Sequence, residues 1–155
     1  MNTPDPLQPS ALAPASLVLN EVLERAGLEK TSAILVTGPG GLAALLWLCR
    51  HGYQHVGLLR PGAGPHEDSD LLWAPLTCDI AALEAMLRAG PHPRDGGLLV
   101  VQTPGSAGDV ADGATQRAHA LLRRYGYSVE RCLHGHHRDL HVARRCVGGR
   151  TRLAA

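Results

Sequence analysis

Residues 33–53, AILVTGPGGLAALLWLCRHGY, constrain the fold more than any other stretch of the chain. A short apolar run ends at a Gly-Pro-Gly-Gly turn, and an almost uniformly apolar segment follows until Gly52. A short apolar run closed by glycine reads as a strand buried on both faces, and the longer segment as a helix lying on a sheet. The alternation recurs: HVGLLR, DLLWAP and GGLLVVQTP are three further buried strands. LVLNEVLERAG places Leu17, Leu19, Val22, Leu23 and Ala26 at helical spacing ahead of the first strand. IAALEAMLRAG, capped by Asp79, follows the third strand, and a helix over about 111–125 stops at Gly126. SVERCLHG and LHVARRCV read as a terminal hairpin. Strands buried on both sides need helices above and below, so the expected fold is a three-layer α/β domain. Its sheet is mainly parallel, with a first strand near 33–37 and an antiparallel pair near 128–147.

A chain of 155 residues fits one domain, taken here as 11–147, between a flexible arm over 1–10 with three prolines and a flexible tail over 148–155. With no Phe, two Trp and three Tyr, the core must be aliphatic. Cys49, Cys78, Cys132 and Cys146 are scattered without a Cys-x-x-Cys pair, which points to a reduced, cytoplasmic protein. Neither a signal peptide nor a membrane span is legible. Charge is uneven: residues 1–116 carry six basic and twelve acidic side chains, residues 117–155 nine and two. Such polarity suits an anionic partner or a homodimer, although a solvated arginine face is the commoner meaning. The shortage of aromatic residues for base stacking argues against a nucleic-acid partner.

The turn at Gly38, Gly40 and Gly41 opens a helix at the carboxyl end of the first strand, where parallel sheets hold ligands and helix N–H groups point outward. The glycines also have a plain reading, as a tight turn against the sheet. Two nucleotide-like ligands are compatible with the sequence. Gly38-x-Gly40-x-x-Ala43 fits a dinucleotide pattern, and Arg60, ending the second strand, is placed to meet the 2′-phosphate of NADP. Hydride transfer has no evident proton donor, since there is no Tyr-x-x-x-Lys pair and the lone Lys30 precedes the first strand.

The second ligand is S-adenosylmethionine. The order AILVTGPGG, HVGLLRPG, DLLWAPLT, LEAMLRAGPHPRDGGLLVVQTPG and LLRRYGYSVERCLHG resembles the class I S-adenosylmethionine-dependent methyltransferase family over about residues 16–147, most closely from Asp70 to Pro104. The resemblance implies a Rossmann-like, methyltransferase-like sheet with a C-terminal antiparallel hairpin. It also implies the loss of one strand, because about nine residues separate Arg60 from Asp70 where the family has its third strand and helix. Val36 and Leu42 stand where the family's first motif has an acid and a third glycine, so only Gly38 and Gly40 carry over. Arg60 stands where the family has a ribose-binding acid. A guanidinium there removes acceptors and repels a sulfonium. The expectation is a degenerate, non-catalytic or altered-ligand binding and assembly protein. A small active methyltransferase, drawing acceptors from Thr37, Thr103 or backbone carbonyls, and an NADP-binding protein are the alternatives.

CLHGHHRDLH gathers Cys132, His134, His136, His137 and His141, all possible zinc donors. The spacing matches no known zinc module, and the expectation is a polar turn of the last hairpin, at the carboxyl edge, holding no tightly bound metal. His66, Glu67 and Asp68 follow the second strand and are expected at the ligand edge, as an acidic loop or as general acid and base. Cys78 has no assigned role, and no catalytic residue is identified.

Overall fold

The computed structural model describes residues 13–60, 66–104, 111–135 and 138–146. The arm, the tail, His136 and His137 lie outside the described residues. The elements are α1 (Ala13–Arg25), β1 (Ala33–Thr37), α2 (Gly41–Arg50), β2 (His55–Leu59), β3 (Leu71–Thr77), α3 (Ile80–Ala89), β4 (Leu98–Pro104), α4 (Ala111–Arg124), β5 (Tyr127–His134) and β6 (Arg138–Arg145). Helix α1 begins four residues earlier than the spacing from Leu17 indicates. The strand expected at Asp70–Pro75 runs over Leu71–Thr77 instead, carrying Pro75 inside it where the β3–β4 register shifts. A proline donates no ladder hydrogen bond, and such an irregularity tolerates it.

The six strands form one sheet in the order β2-β1-β3-β4-β6-β5. β2, β1, β3 and β4 are parallel, and β6 is antiparallel to both β4 and β5. The sheet divides two aliphatic cores. Ile34, Val36, Leu71, Trp73, Leu98 and Val100 meet α1 through Leu19, Val22 and Leu23, and α2 through Ala44 and Leu48. On the opposite face Leu72, Leu99, Val101 and Ala143 meet α3 through Leu83 and Leu87, and α4 through Ala118 and Leu122. The alternation of β3 and β4 residues between the two cores follows from the period of two along a strand. The result is the three-layer α/β fold expected from the sequence.

Two clamps tie the amino edge of the sheet together. Asp70 accepts the Ala33 N–H at 2.8 Å and pairs with Arg94. Burial alone would raise the Asp70 pKa, but the Ala33 N–H and the Arg94 guanidinium outweigh it and hold the carboxyl below its ordinary range. Arg144 donates to the Ala26 carbonyl at 2.6 Å and the Gly96 carbonyl at 2.8 Å, and pairs with Glu130. That single side chain joins the end of α1 to the last hairpin.

Candidate functional site

The turn after β1 is built by backbone geometry. Gly38 and Gly40 have φ of +83° and +78°, a region that costs an L side chain about 1–2 kcal/mol. A Cβ on Gly38 would meet nothing within 4 Å, so open space lies beside the turn. Gly41 is buried, and a Cβ there would stand 2.5 Å from Leu58 Cδ1 and 3.4 Å from Val36 Cγ1. Gly41 is therefore the residue at the close helix–sheet contact. Ala43, which the dinucleotide pattern would put in that position, is exposed. The first-turn N–H groups of α2 have no acceptor within their own helix and face the carboxyl edge. Gly40 caps the helix without a side-chain hydrogen bond.

Among the described residues around this edge the side chains supply few acceptors. Arg60 follows β2 directly and is exposed. Asp79, after β3, spends one carboxylate oxygen on the Ala82 N–H at 2.8 Å to cap α3. Cys78 packs beside the second core and donates to the Gln102 carbonyl at 3.3 Å, and burial, then Asp79, push its thiol pKa up. Thr103 is buried and turned toward α4, where its hydroxyl contacts His141. It is therefore not turned toward the turn as a substitute acceptor.

The expectation for His66, Glu67 and Asp68 is corrected. These residues lead into β3 at the amino edge, where the His66 carbonyl accepts the His92 N–H at 2.9 Å and Glu67 reaches Arg145. The reason is topological: β2 and β3 are parallel, so the chain leaving the carboxyl end of β2 must return to the amino edge before β3 starts. Only eleven residues separate Leu59 from Leu71, and among the described ones there is no helix such as an ordinary βαβ crossover would lay over the sheet. A cleft of about 500 Å³ runs along that part of the β1–β2 face, past Leu35, Gly57 and Leu59 to His66, Asp68 and Ser69.

A second polar assembly lies beneath α4 at the carboxyl end of the hairpin. β5 and β6 pair Cys132 with His141 and His134 with Asp139, so all four lie on the face toward α4. His141 is fully buried, with Nε2 2.8 Å from Thr103 Oγ1 and Nδ1 3.0 Å from His119 Nε2. Asp139, also buried, accepts from Thr115 Oγ1 at 3.0 Å and contacts His134 Nδ1 at 3.1 Å. Burial, then the neighbouring His119, lowers the His141 pKa to about 4. Burial pushes the Cys132 thiol up to about 11, with Asp139 adding to the rise. The sequence predicts the last hairpin, whose strands meet at the carboxyl edge between His134 and Arg138, but it does not announce His119, Thr115 or the burial of Asp139. Their signal was the helical spacing Thr115, Ala118, His119 and Leu122, one face of α4.

No family model matches the chain, and no curated protein matches it. Solved structures do. A protein assigned as a sarcosine dimethylglycine methyltransferase from Galdieria sulphuraria superposes with a TM-score of 0.60 at 10% identity, covering 88% of this chain and 87% of that one. Magnesium protoporphyrin IX methyltransferase from Synechocystis, solved with bound SAH, gives 0.54 at 10% identity over 94% and 90%. The pyocyanin biosynthetic protein PhzM gives 0.54 at 15% identity over 88% of this chain, which spans only 56% of PhzM. At these identities the likeness is one of fold. The chain has a class I S-adenosylmethionine-dependent methyltransferase-like, Rossmann-like fold in shortened form.

Proposed function

We propose that this chain is a methyltransferase-like domain with degenerate cofactor motifs, working as a non-catalytic or altered-ligand binding and assembly protein. The observation that carries the reading is the character of the carboxyl edge. Arg60 stands after β2, and the Asp79 carboxylate is engaged in capping α3. A guanidinium on the sheet edge that also carries a helix N-terminus favours an anionic, nucleotide-like ligand and repels a sulfonium. Gly38, Gly40 and Gly41 would let such a ligand approach the backbone.

Self-association as a homodimer belongs to the same reading. Leu42 and Leu46 on α2 and Leu58 on β2 are large apolar side chains left exposed beside the open edge of the sheet. Exposed, unpaired Cys49 and Cys146 suit a reducing cytoplasm. Among the described residues no helix is long and apolar enough to cross a membrane.

Active methyl transfer is the second reading, favoured by the fold likeness to a methyltransferase solved with SAH. NADP binding through Gly38, Gly40 and Arg60 is the third, and exposed Ala43 counts against its fingerprint. Calorimetry with S-adenosylmethionine, S-adenosylhomocysteine, NADP and NAD separates them. The expected result is no useful affinity for S-adenosylmethionine. If NADP binds, Arg60→Asp should weaken it by about 1–3 kcal/mol, the worth of a charge-assisted hydrogen bond. Tight binding of S-adenosylmethionine by the unmutated chain would overturn the proposal.

A further inference from the structure

The geometry points to a zinc site formed by His119 Nε2, Cys132 Sγ and His141 Nδ1, joining α4 to the β5–β6 hairpin. One donor atom from each of these three residues lies within 4.8 Å of the other two. The two nitrogens are 3.0 Å apart. Tetrahedral zinc with Zn–N bonds of about 2.0–2.1 Å needs its nitrogens roughly 3.3 Å apart, so a movement of a few tenths of an ångström admits the ion. Within the stretch 132–141 the described residues bring together Cys132, His134 and Asp139, whereas the second imidazole of the proposed set, His119, comes from a helix thirteen residues upstream of Cys132.

The surroundings have the features of a ligand's outer shell. Thr103 Oγ1 lies against His141 Nε2, and when Nε2–H donates to it the Nδ1 lone pair is directed at His119 and the proposed ion. Without metal, two histidine nitrogens face each other across that gap. Cys132 belongs to a second close group with His134 and Asp139, and Asp139 supplies a buried negative charge beside the thiolate. The ion also has a route in: a groove of about 360 Å³ between α4 and β5 is lined by both His119 and Cys132. Arg123 and Arg131 line the same groove, and the thiolate and Asp139 offset their charge. On binding, the Cys132 thiol releases its proton to solvent as the Zn–S bond forms, leaving the fourth position to water. Soft thiolate with two imidazoles selects zinc over magnesium or calcium.

The test is titration of the reduced, chelator-treated full chain with cobalt(II) and with zinc(II). Cobalt should bind one ion per chain with a thiolate-to-metal charge-transfer absorption, and equimolar zinc should displace it. Cys132→Ser should abolish the band, His119→Gln should weaken affinity at least about tenfold, and Thr103→Val, which removes only the orienting hydroxyl, should weaken it by about tenfold. Cys49→Ser should leave it unchanged. A chain that gives no charge-transfer band, a band that persists in Cys132→Ser, or one unchanged by His119→Gln but lost on replacing His136 and His137 would each overturn the site. Iodoacetamide labelling of the unmutated protein, read by peptide mass, covers the case in which a variant does not fold. Zinc should slow alkylation of Cys132 at least about tenfold while sparing Cys49 and Cys146, whereas equal protection of all, or of none, contradicts the assignment.

Discussion

Acidification of the metal-free protein isolates the energetic weight of His141. In the folded chain its imidazole is fully buried, held between Thr103 Oγ1 and His119 Nε2, with a pKa lowered to about 4. The groups facing it are His119 from α4, Cys132 and His134 from β5, and Asp139 from its own strand. In the unfolded chain the same group titrates at about 6.5. Because the folded pKa is the lower one, the unfolded state binds the proton first. Stability is complete above about pH 6.5, falls as pH drops toward 4, and is flat below that as far as this group is concerned. The shift integrates to about 3 kcal/mol. His119 and His92, lowered by burial first and by nearby arginines next, steepen the same slope, so wild type alone does not isolate His141. Urea unfolding from pH 7.5 to 4.5, followed by tryptophan fluorescence, should therefore compare wild type with His141→Gln. The variant should be less stable at pH 7.5 and lose less on acidification, with the two curves converging by up to about 3 kcal/mol toward pH 4. Parallel curves would refute the argument that burial keeps His141 neutral.

Gly38→Ala and Gly40→Ala should each cost about 1–2 kcal/mol in urea unfolding, because both keep positive φ, while Gly41→Ala should be milder because the exposed end of Leu58 can rotate away. Equal costs at all three positions would contradict that division. Arg144→Ala should destabilise by about 2–3 kcal/mol, since it strands the Ala26 and Gly96 carbonyls, and hydrogen exchange should show α1 loosening from the hairpin.

The alternating apolar runs and glycine-ended helices were enough to read the sheet, because burial on two faces leaves a strong local trace in sequence. Asp79 as a helix cap was legible for the same reason: its partner, Ala82, is three residues away. The length of the β2–β3 link shows that it is short, but not that His66, Glu67 and Asp68 lie at the amino edge. Length limits what a link can contain, whereas the edge at which each residue lies depends on how far the return has progressed. The polar assembly under α4 was hidden by distance along the chain. Thr103 and His141 are 38 positions apart and His119 and His141 are 22 apart, and no local period announces such a pairing.

The position of β6 has a consequence for how the molecule is made. It is the last strand in chain order of the described sheet, yet it lies between β4 and β5. While a ribosome has exposed only the residues before Arg138, β4 has no neighbour on one side and β5 has no strand to pair with. His119 and Cys132 have then already emerged, but His141 has not. Completing the sheet thus requires the insertion of one late segment between two unpaired edges. A nascent chain stalled before that point would present its most adhesive backbone to other chains or to chaperones.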